Sequence, residues 1–177
     1  AVDYLLATLP TTGMLKENWQ FDRLAFEQFV LSEAGAGDLG GASNLFEERA
    51  RLNPWAQAYL AMTLETLSPE DERLGTLYSD LETGAVRSAT GAHWENDFPS
   101  WQNMSTTIQS TAVVLTALAQ HDPATPFVTD DLRYLMANRT ALGAWASTFE
   151  TAWSLMALAE VMQGTGELSG DFAFSAS

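Results

Sequence analysis

Apolar positions recur along most of the chain with the three-to-four-residue spacing of amphipathic helices, whereas strand-like alternation hardly appears. The run FDRLAFEQFVLSEAG gathers its apolar side chains near one face and ends at Gly35, which suits a helix C-cap. NPWAQAYLAMTLETL opens with Asn53 as an N-cap and Pro54 at the first helical position. These patterns predict a chain built almost entirely of helices.

Turn-forming residues suggest where several other helices begin. A glycine-rich loop at Gly37, Gly40 and Gly41 is expected to precede the helix NLFEERARL. In SPEDERLGTLYSDLETG, Ser68 is expected to cap a helix that starts at Pro69, with three acids at the positive end of its dipole.

Two later helices are also expected to begin at hydroxyl caps. Thr129 is the expected cap of VTDDLRYLMANR. For STFETAWSLMALAEVMQGTG the expected cap is Ser147 or Thr148, with Glu150 close behind in the outline of a capping box. Only the tail DFAFSAS alternates like a strand.

Two of the longer helices echo one another in sequence. QSTAVVLTALAQ and ETAWSLMALAEV share Thr-Ala, then apolar positions, then Ala-Leu-Ala, and each is paired with a more acidic helix. This is the pattern of stacked helical hairpins, in which small residues let the inner helices approach closely. An open solenoid and a closed ring both fit it. The segments GAHW and GAW favour the ring, because an indole can wedge into a narrowing centre. We therefore predict an all-α fold, an α/α toroid that this chain need not complete, with a short C-terminal strand.

Composition narrows the range of functions. A length of 177 residues suits one domain, and the formal net charge of −15 makes nucleic acid and anionic membrane surfaces poor partners. The absence of cysteine excludes disulfides, a thiol nucleophile and cysteine-based zinc sites within the chain. No apolar run is long enough to span a bilayer, no signal peptide is recognisable, and no cofactor is predicted. A start inside a helical pattern suggests a piece of a larger protein.

An ordered series of motifs carries a family resemblance. The series is LNPWAQAYLAMTL, GAHWEND, STTIQSTAVVLTALAQHDP, RYLMANR and GAWASTFETAWSLMALAEV, closing in TGELSGDFAFSAS. From about Leu24 onward it resembles the thioester-containing domain of bacterial alpha-2-macroglobulins. That domain is an α/α toroid shared with complement thioester proteins and, at the level of fold, with terpene cyclases and prenyltransferases. The resemblance implies a partial toroid over residues 1–170, and the start of a following β-sandwich domain or a linker over residues 171–177.

The resemblance also implies a function. Such proteins are endopeptidase inhibitors that trap proteinases outside the cytoplasm, binding them through an internal thioester between the Cys and Gln of a Cys-x-Glu-Gln motif. They are not enzymes in the turnover sense, and their partners are proteinases and the neighbouring β-sandwich domains. This chain has no cysteine, so the thioester would lie outside it. The run AFEQ, Ala25 to Gln28, imitates the motif with Ala in place of Cys. We interpret it as a coincidence because it falls in mid-helix.

His93, in GAHWENDFPSW, is the candidate site residue. In the complement relatives a histidine attacks the thioester carbonyl and passes the acyl group to hydroxyls. The resemblance thus implies an acyl-transfer helper at His93, whose neutral imidazole is available near pH 7. The competing interpretation is structural: one ring nitrogen bonds a backbone carbonyl and Trp94 packs beneath. A metal site with Glu95 and Asp97 is a weaker alternative. His121 is expected at a helix C-terminus, where the dipole favours it.

Three other functions stay open beside proteinase trapping. One is a macroglobulin scaffold or interaction domain without a thioester. Another is a toroid enzyme acting on polyprenyl or carbohydrate substrates, and the last is a helical-repeat binding module. Asp130 and Asp131 resemble the acidic motifs of terpene cyclases, but as residues of a first helical turn they are expected to compensate the dipole. The tryptophans could line a sugar or hydrophobic-ligand cavity, although core packing is the favoured use. They are Trp55, Trp94, Trp101, Trp145 and Trp153.

Overall fold

The computed structural model describes residues 1–166, and these form eight helices and one two-stranded hairpin. The helices are α1 (Val2–Thr8), α2 (Asn18–Glu33), α3 (Leu39–Glu47), α4 (Pro54–Leu67), α5 (Arg73–Thr83), α6 (Thr107–His121), α7 (Pro126–Ala137) and α8 (Thr148–Gly164). The strands are β1 (Val86–Ser88) and β2 (Gly91–His93), which pair antiparallel between α5 and α6.

The helices form an inner and an outer layer. In the inner layer α2 packs on α4, α4 on α6 and α6 on α8, while α3 and α5 cover α4 and α7 covers α6. Alanines and other small residues are buried along α4 and α6, so these backbones lie close together. This arrangement of successive helical hairpins confirms the predicted α/α toroid class. The strand predicted in the tail, and the domain boundary at residue 170, lie outside the described residues.

Local chemistry explains most helix ends. The predicted stop at Gly35 is confirmed: its φ of +71° places it in the left-handed region, its N–H donates to Ser32 O, and the N–H of Ala36 donates to Leu31 O at 2.8 Å. These two bonds form a Schellman motif. Ser147 caps α8 as predicted, because its hydroxyl accepts from the N–H of Glu150 at 3.1 Å.

Three predicted starts are wrong. Ser68 ends α4 instead of starting a helix, and α5 begins only at Arg73, after Asp71 has accepted hydrogen bonds from the Arg73 backbone and guanidinium. Gly40 and Gly41 are not loop residues but the first turn of α3. Their N–H groups donate to the carboxylate of Asp38 at 3.0 and 2.9 Å, so Asp38 is the N-cap that starts α3 at Leu39.

The third wrong start concerns α7. Thr125 is its N-cap and Pro126 its first residue, so Thr129 lies inside the helix. A proline at the first helical position is pre-organised for helix entry, and this favours the earlier start. As a result Asp130 and Asp131 are not in the first turn, and dipole compensation does not explain them.

The hairpin β1–β2 was not expected from the sequence either. Its close fit against α7 depends on Gly91, whose φ is +119°. A Cβ at this position would lie 2.1 Å from the carbonyl oxygen of Asp130, so only glycine lets the strand approach the helix. The hairpin thereby fixes the position of the residues that follow Gly91.

Candidate functional site

Trp94 holds the predicted site segment in place directly after β2. Its side chain is fully buried. Its backbone N–H donates to Thr111 Oγ1 on α6 at 3.2 Å, and its indole Nε1 donates to Leu81 O near the end of α5 at 2.7 Å. One residue thus connects the outer helix α5 to the inner helix α6, and His93 precedes this anchor by one position.

The same contacts recur between α7 and α8. The backbone N–H of Trp145 donates to Thr151 Oγ1 at 3.2 Å, and its indole Nε1 donates to Leu135 O at 3.0 Å. The segments GAHW and GAW are therefore equivalent anchors that join an outer helix to the next inner helix. We call Trp94 and Trp145 the anchor tryptophans. Core packing, the favoured interpretation for tryptophan, is confirmed at these two positions.

His93 stacks on Tyr134 of α7, with ring centroids 4.3 Å apart and planes inclined by 11°. Its side chain is only 12% exposed, and its Nε2 lies 3.6 Å from Glu95 Oε1, which belongs to an exposed side chain. Within residues 1–166 the buried Nδ1 has no hydrogen-bond partner. The expected carbonyl bond to the ring is therefore absent from this part of the chain, and Tyr134, not Trp94, packs against the imidazole.

This geometry leaves one nitrogen of His93 available for chemistry. Nδ1 is enclosed, whereas Nε2 lies on the edge that faces Glu95. Burial, and then the charge of Glu95, raise the pKa of the Tyr134 phenol, so the ring under the imidazole stays neutral. Any acyl or proton transfer at His93 would therefore pass through Nε2.

Asp131 is the most perturbed acid of the hairpin–α7 interface. Its side chain is fully buried, and neither carboxylate oxygen has a partner among the described residues. Burial, and secondarily the charge of Asp130, raise the pKa of Asp131 to about 9, while Arg87 acts in the opposite direction. Asp131 is therefore protonated at neutral pH. Asp130 by contrast pairs with Arg133 at 3.0 Å on the surface.

A second buried acid joins the N-terminal parts of α2 and α4. Asp22 accepts from the backbone N–H of Asn53 at 2.8 Å and from its Nδ2 at 2.7 Å. Burial raises the pKa of Asp22 to about 6, although hydrogen bonds from Asn53 and Asn103 oppose this shift. The sequence places Asn53 correctly at the N-cap but does not reveal its side-chain partners, because Asp22 is 31 positions away.

The amide of Asn53 also fixes the segment between Trp94 and α6. Its Nδ2 donates to Phe98 O at 3.0 Å, and its Oδ1 accepts from Phe98 N at 2.8 Å. We call residues 95–105 the bridging loop, because they connect the anchor at Trp94 to the N-cap of α6 at Thr106. Trp101 of this loop is 84% exposed, so core packing is the wrong interpretation for this tryptophan.

The contacts of the remaining candidate residues indicate structural roles. His121 is the last residue of α6, as predicted, where its Nδ1 lies 2.9 Å from Glu65 Oε1 and its ring stacks on Tyr78. The run Ala25 to Gln28 lies inside α2, with Ala25 fully buried, as the coincidence interpretation expects. Within residues 1–166 no group of three or more His, Asp or Glu is placed to hold a metal ion. No helix in this part of the chain has the length and apolar character needed to cross a bilayer.

Comparison with known proteins gives one family. Residues 41–161 match the model described as the A-macroglobulin TED domain, and this range includes both anchor tryptophans, the hairpin and the bridging loop. Comparison with curated proteins gives no significant match.

Proposed function

Because the chain belongs to the A-macroglobulin TED domain family, we propose that it is part of the thioester domain of an alpha-2-macroglobulin-like endopeptidase inhibitor. The proposed role is covalent capture of proteinases outside the cytoplasm, in the envelope or surroundings of a bacterial cell. The family match over residues 41–161 carries this proposal, and the stacked helical hairpins agree with it.

The reacting bond of this mechanism lies outside the 177 residues. A thioester needs a cysteine, and the chain has none. Ala25–Gln28 does not replace it, since Ala25 carries no sulfur and is enclosed in the middle of α2. The chain would then supply the partial toroid over residues 1–170, and residues 171–177 would be the start of a β-sandwich domain or a linker.

The test uses the intact protein that contains this chain. Treatment with a proteinase should release one free thiol per molecule and leave proteinase covalently attached, as seen by thiol labelling and denaturing electrophoresis. Pretreatment with methylamine should release the thiol in advance and abolish the attachment. If neither treatment releases a thiol, covalent capture is wrong.

The alternative is a scaffold or interaction domain of a macroglobulin without a thioester, and a chain without cysteine fits this alternative and the trapping proposal equally. In that case the intact protein would bind proteinases without a denaturant-resistant adduct. The enzyme alternative is less well supported, because the pocket between the inner helices is lined by aromatic and amide side chains and Arg23, and by no carboxylate of the described residues.

Within the trapping mechanism, His93 has the proposed role of acyl-transfer helper. Its Nε2 would attack the thioester carbonyl and release the cysteine thiolate, and a hydroxyl would then take the acyl group from the imidazole. The stacking of His93 on Tyr134 supports this role, since it fixes the ring with Nε2 on the open edge. The proposal requires the thioester to approach that edge in the intact protein.

His93→Ala and His121→Ala form a matched pair, since these are the two histidines of the chain. In the intact protein His93→Ala should lower the ratio of glycerol to methylamine incorporation about tenfold or more, within the range of general acid–base effects. His121→Ala should leave the ratio unchanged, because that ring lies at the end of α6 beside Glu65. An unchanged ratio in His93→Ala would leave this histidine a structural residue.

A further inference from the structure

A pocket of about 210 Å³ lies between the four inner helices α2, α4, α6 and α8. Its wall is completed by Gln102 and Asn103 of the bridging loop. Asn103 is fixed in that position because its Nδ2 donates to Trp19 O at 3.0 Å. Pockets for drug-sized ligands measure about 300–1,000 Å³, so this pocket suits a smaller molecule.

Aromatic rings form most of the apolar wall. Tyr59 is the central ring, with centroid distances of 5.2 Å to Phe26, 5.9 Å to Trp55 and 6.1 Å to Trp153. Phe149 packs on Trp153 at 6.3 Å. Phe26 is 38% exposed, so the aromatic wall reaches the surface. Such a wall offers flat apolar faces to the carbon–hydrogen faces of a ring-shaped ligand.

Three lining side chains are more than nine-tenths buried and carry a polar atom that has no partner within residues 1–166. These atoms are Trp55 Nε1, the Tyr59 hydroxyl and Gln109 Oε1. The indole N–H only donates, the amide oxygen only accepts, and the phenol does both. A buried polar atom without a hydrogen-bond partner carries a free-energy cost. A ligand that pairs with these atoms would recover part of that cost, and a hydroxyl group can pair with each type.

The charges around the pocket disfavour an ionic ligand. No carboxylate of the described residues lines it, and its one charged side chain, Arg23, is exposed and stacked over the ring of Trp19 at 4.9 Å. A carboxylate ligand could not pair with Gln109 Oε1, since both are acceptors. An ammonium ligand could not pair with the indole N–H of Trp55, since both are donors.

We propose that this pocket binds an uncharged, hydroxyl-bearing ring of the size of a single sugar residue. The aromatic wall would stack on the ring, and the donors and acceptors of Trp55, Tyr59 and Gln109 would pair with its hydroxyls. This site is separate from the His93 edge and does not depend on a thioester, so it stands whether or not covalent capture is correct.

Calorimetric titration of the full chain tests the proposal with four probes. Glucose and N-acetylglucosamine represent the proposed class, choline represents a cation and benzoate an anion. We expect saturable binding of at least one sugar, with a Kd of about 1 mM or lower, and no saturable binding of choline or benzoate. Absence of sugar binding up to about 10 mM, ten times that Kd, or tighter binding of choline or benzoate, would overturn the proposal.

Variants locate the binding. Gln109→Leu keeps the side-chain volume but removes the acceptor, and it should weaken sugar binding at least tenfold. Trp101→Leu is the control, because Trp101 belongs to the same bridging loop but is exposed outside the pocket. The affinity of Trp101→Leu for the sugar should equal that of the wild type. Equal affinity in Gln109→Leu would show that the sugar binds elsewhere.

A second pocket variant guards against loss of folding. If circular dichroism shows that Gln109→Leu is unfolded, Phe149→Leu at the half-buried rim replaces it, and the same tenfold loss is expected. Wild-type affinity in a folded Phe149→Leu would likewise contradict the proposed site.

Discussion

The hairpins α5–α6 and α7–α8 use the same contacts but differ in what surrounds them. Each has an anchor tryptophan that bonds the threonine of a Thr-Ala pair and a leucine carbonyl of the outer helix. However, α6 buries ten of its residues and α8 only four. Leu115 is fully buried, whereas Leu155 at the equivalent position is 55% exposed. Burial in this fold therefore depends on neighbouring helices more than on the repeated sequence.

The outer helices differ at one buried position. Leu77 and Asp131 each lie four residues before the leucine whose carbonyl accepts an indole N–H, and both are fully buried. Helix α5 fills this position with an apolar side chain, but α7 fills it with an acid that has no partner within the described residues. Because α5 packs with a leucine at this position, the carboxyl group of Asp131 is not needed for the packing of α7.

The largest expected effect on stability comes from replacing the equivalent leucine of α6 or of α8 with alanine, in two separate variants. Leu115→Ala should lower the free energy of unfolding by about 2–5 kcal/mol, because it leaves a cavity in a fully packed core. Leu155→Ala should lower it by no more than about 0.5 kcal/mol, the range of surface substitutions. Urea unfolding followed by circular dichroism measures both. Equal losses would mean that the exposed face of α8 is covered in solution.

The next largest effect on stability should come from removing the threonine hydroxyl that accepts the backbone N–H of each anchor tryptophan. Thr111→Val leaves the buried N–H of Trp94 unpaired and should cost about 1–3 kcal/mol. Thr151→Val should cost less, because the corresponding bond from Trp145 is only partly buried and water can replace it. The same unfolding measurement applies. A larger loss for Thr151→Val would show that the two anchors are not equivalent.

Asp131→Leu would make α7 resemble α5, and it should stabilise the protein. The folded-state pKa of Asp131, about 9, lies above the unfolded value near 4. The folded state therefore holds a proton that the unfolded state loses, and stability should fall as pH rises from about 4 to 9. The variant should lack the part of this decline that Asp131 causes, which above about pH 6, the pKa of Asp22, is most of it. It should gain at least about 1.4 kcal/mol at pH 8, the equivalent of one pKa unit.

Thermal melting of the wild type and Asp131→Leu between pH 5 and pH 8 measures this difference. Asp130→Leu is the control, since Asp130 lies on the surface beside Arg133. A wild-type stability that rises over this range, with no gain in Asp131→Leu, would contradict the raised pKa.

The smallest expected effect concerns the bridging loop, which the second hairpin lacks. Asn103→Ala removes the hydrogen bond to Trp19 O and should cost about 0.5–1 kcal/mol. Hydrogen exchange should quicken at the amides of residues 95–105 and stay unchanged around Trp145. Faster exchange in both hairpins would indicate global destabilisation instead of local release.

The sequence predicts the parts of the fold that local chemistry determines. The repeat of Thr-Ala and Ala-Leu-Ala, the stop at Gly35 and the cap at Ser147 all follow from neighbouring residues, and all are found in the structure. The predicted start of α7 at Thr129 was wrong because two threonines that could cap the helix, Thr125 and Thr129, lie within five residues. Pro126 at the first helical position favours Thr125.

The candidate site was harder to predict because its contacts are distant in sequence. His93 stacks on a tyrosine 41 positions later in the chain, and Asn53 bonds Asp22 at a separation of 31 positions. The aromatic pocket combines side chains of four helices with the bridging loop. The tryptophans indicated a cavity as one possibility, but no local pattern distinguishes Trp55 and Trp153, which line it, from the buried anchors.

The anchor tryptophans hold the next inner helix in the same position whatever the length of the chain between the tryptophan and that helix. Trp94 and its threonine are 17 positions apart, whereas Trp145 and its threonine are 6 apart, yet both pairs form the same bond at 3.2 Å. Chain inserted after an anchor therefore need not shift the register of the next inner helix. The segment between an anchor tryptophan and the next inner helix is therefore a position at which loops of different length and composition could be exchanged, by evolution or by design.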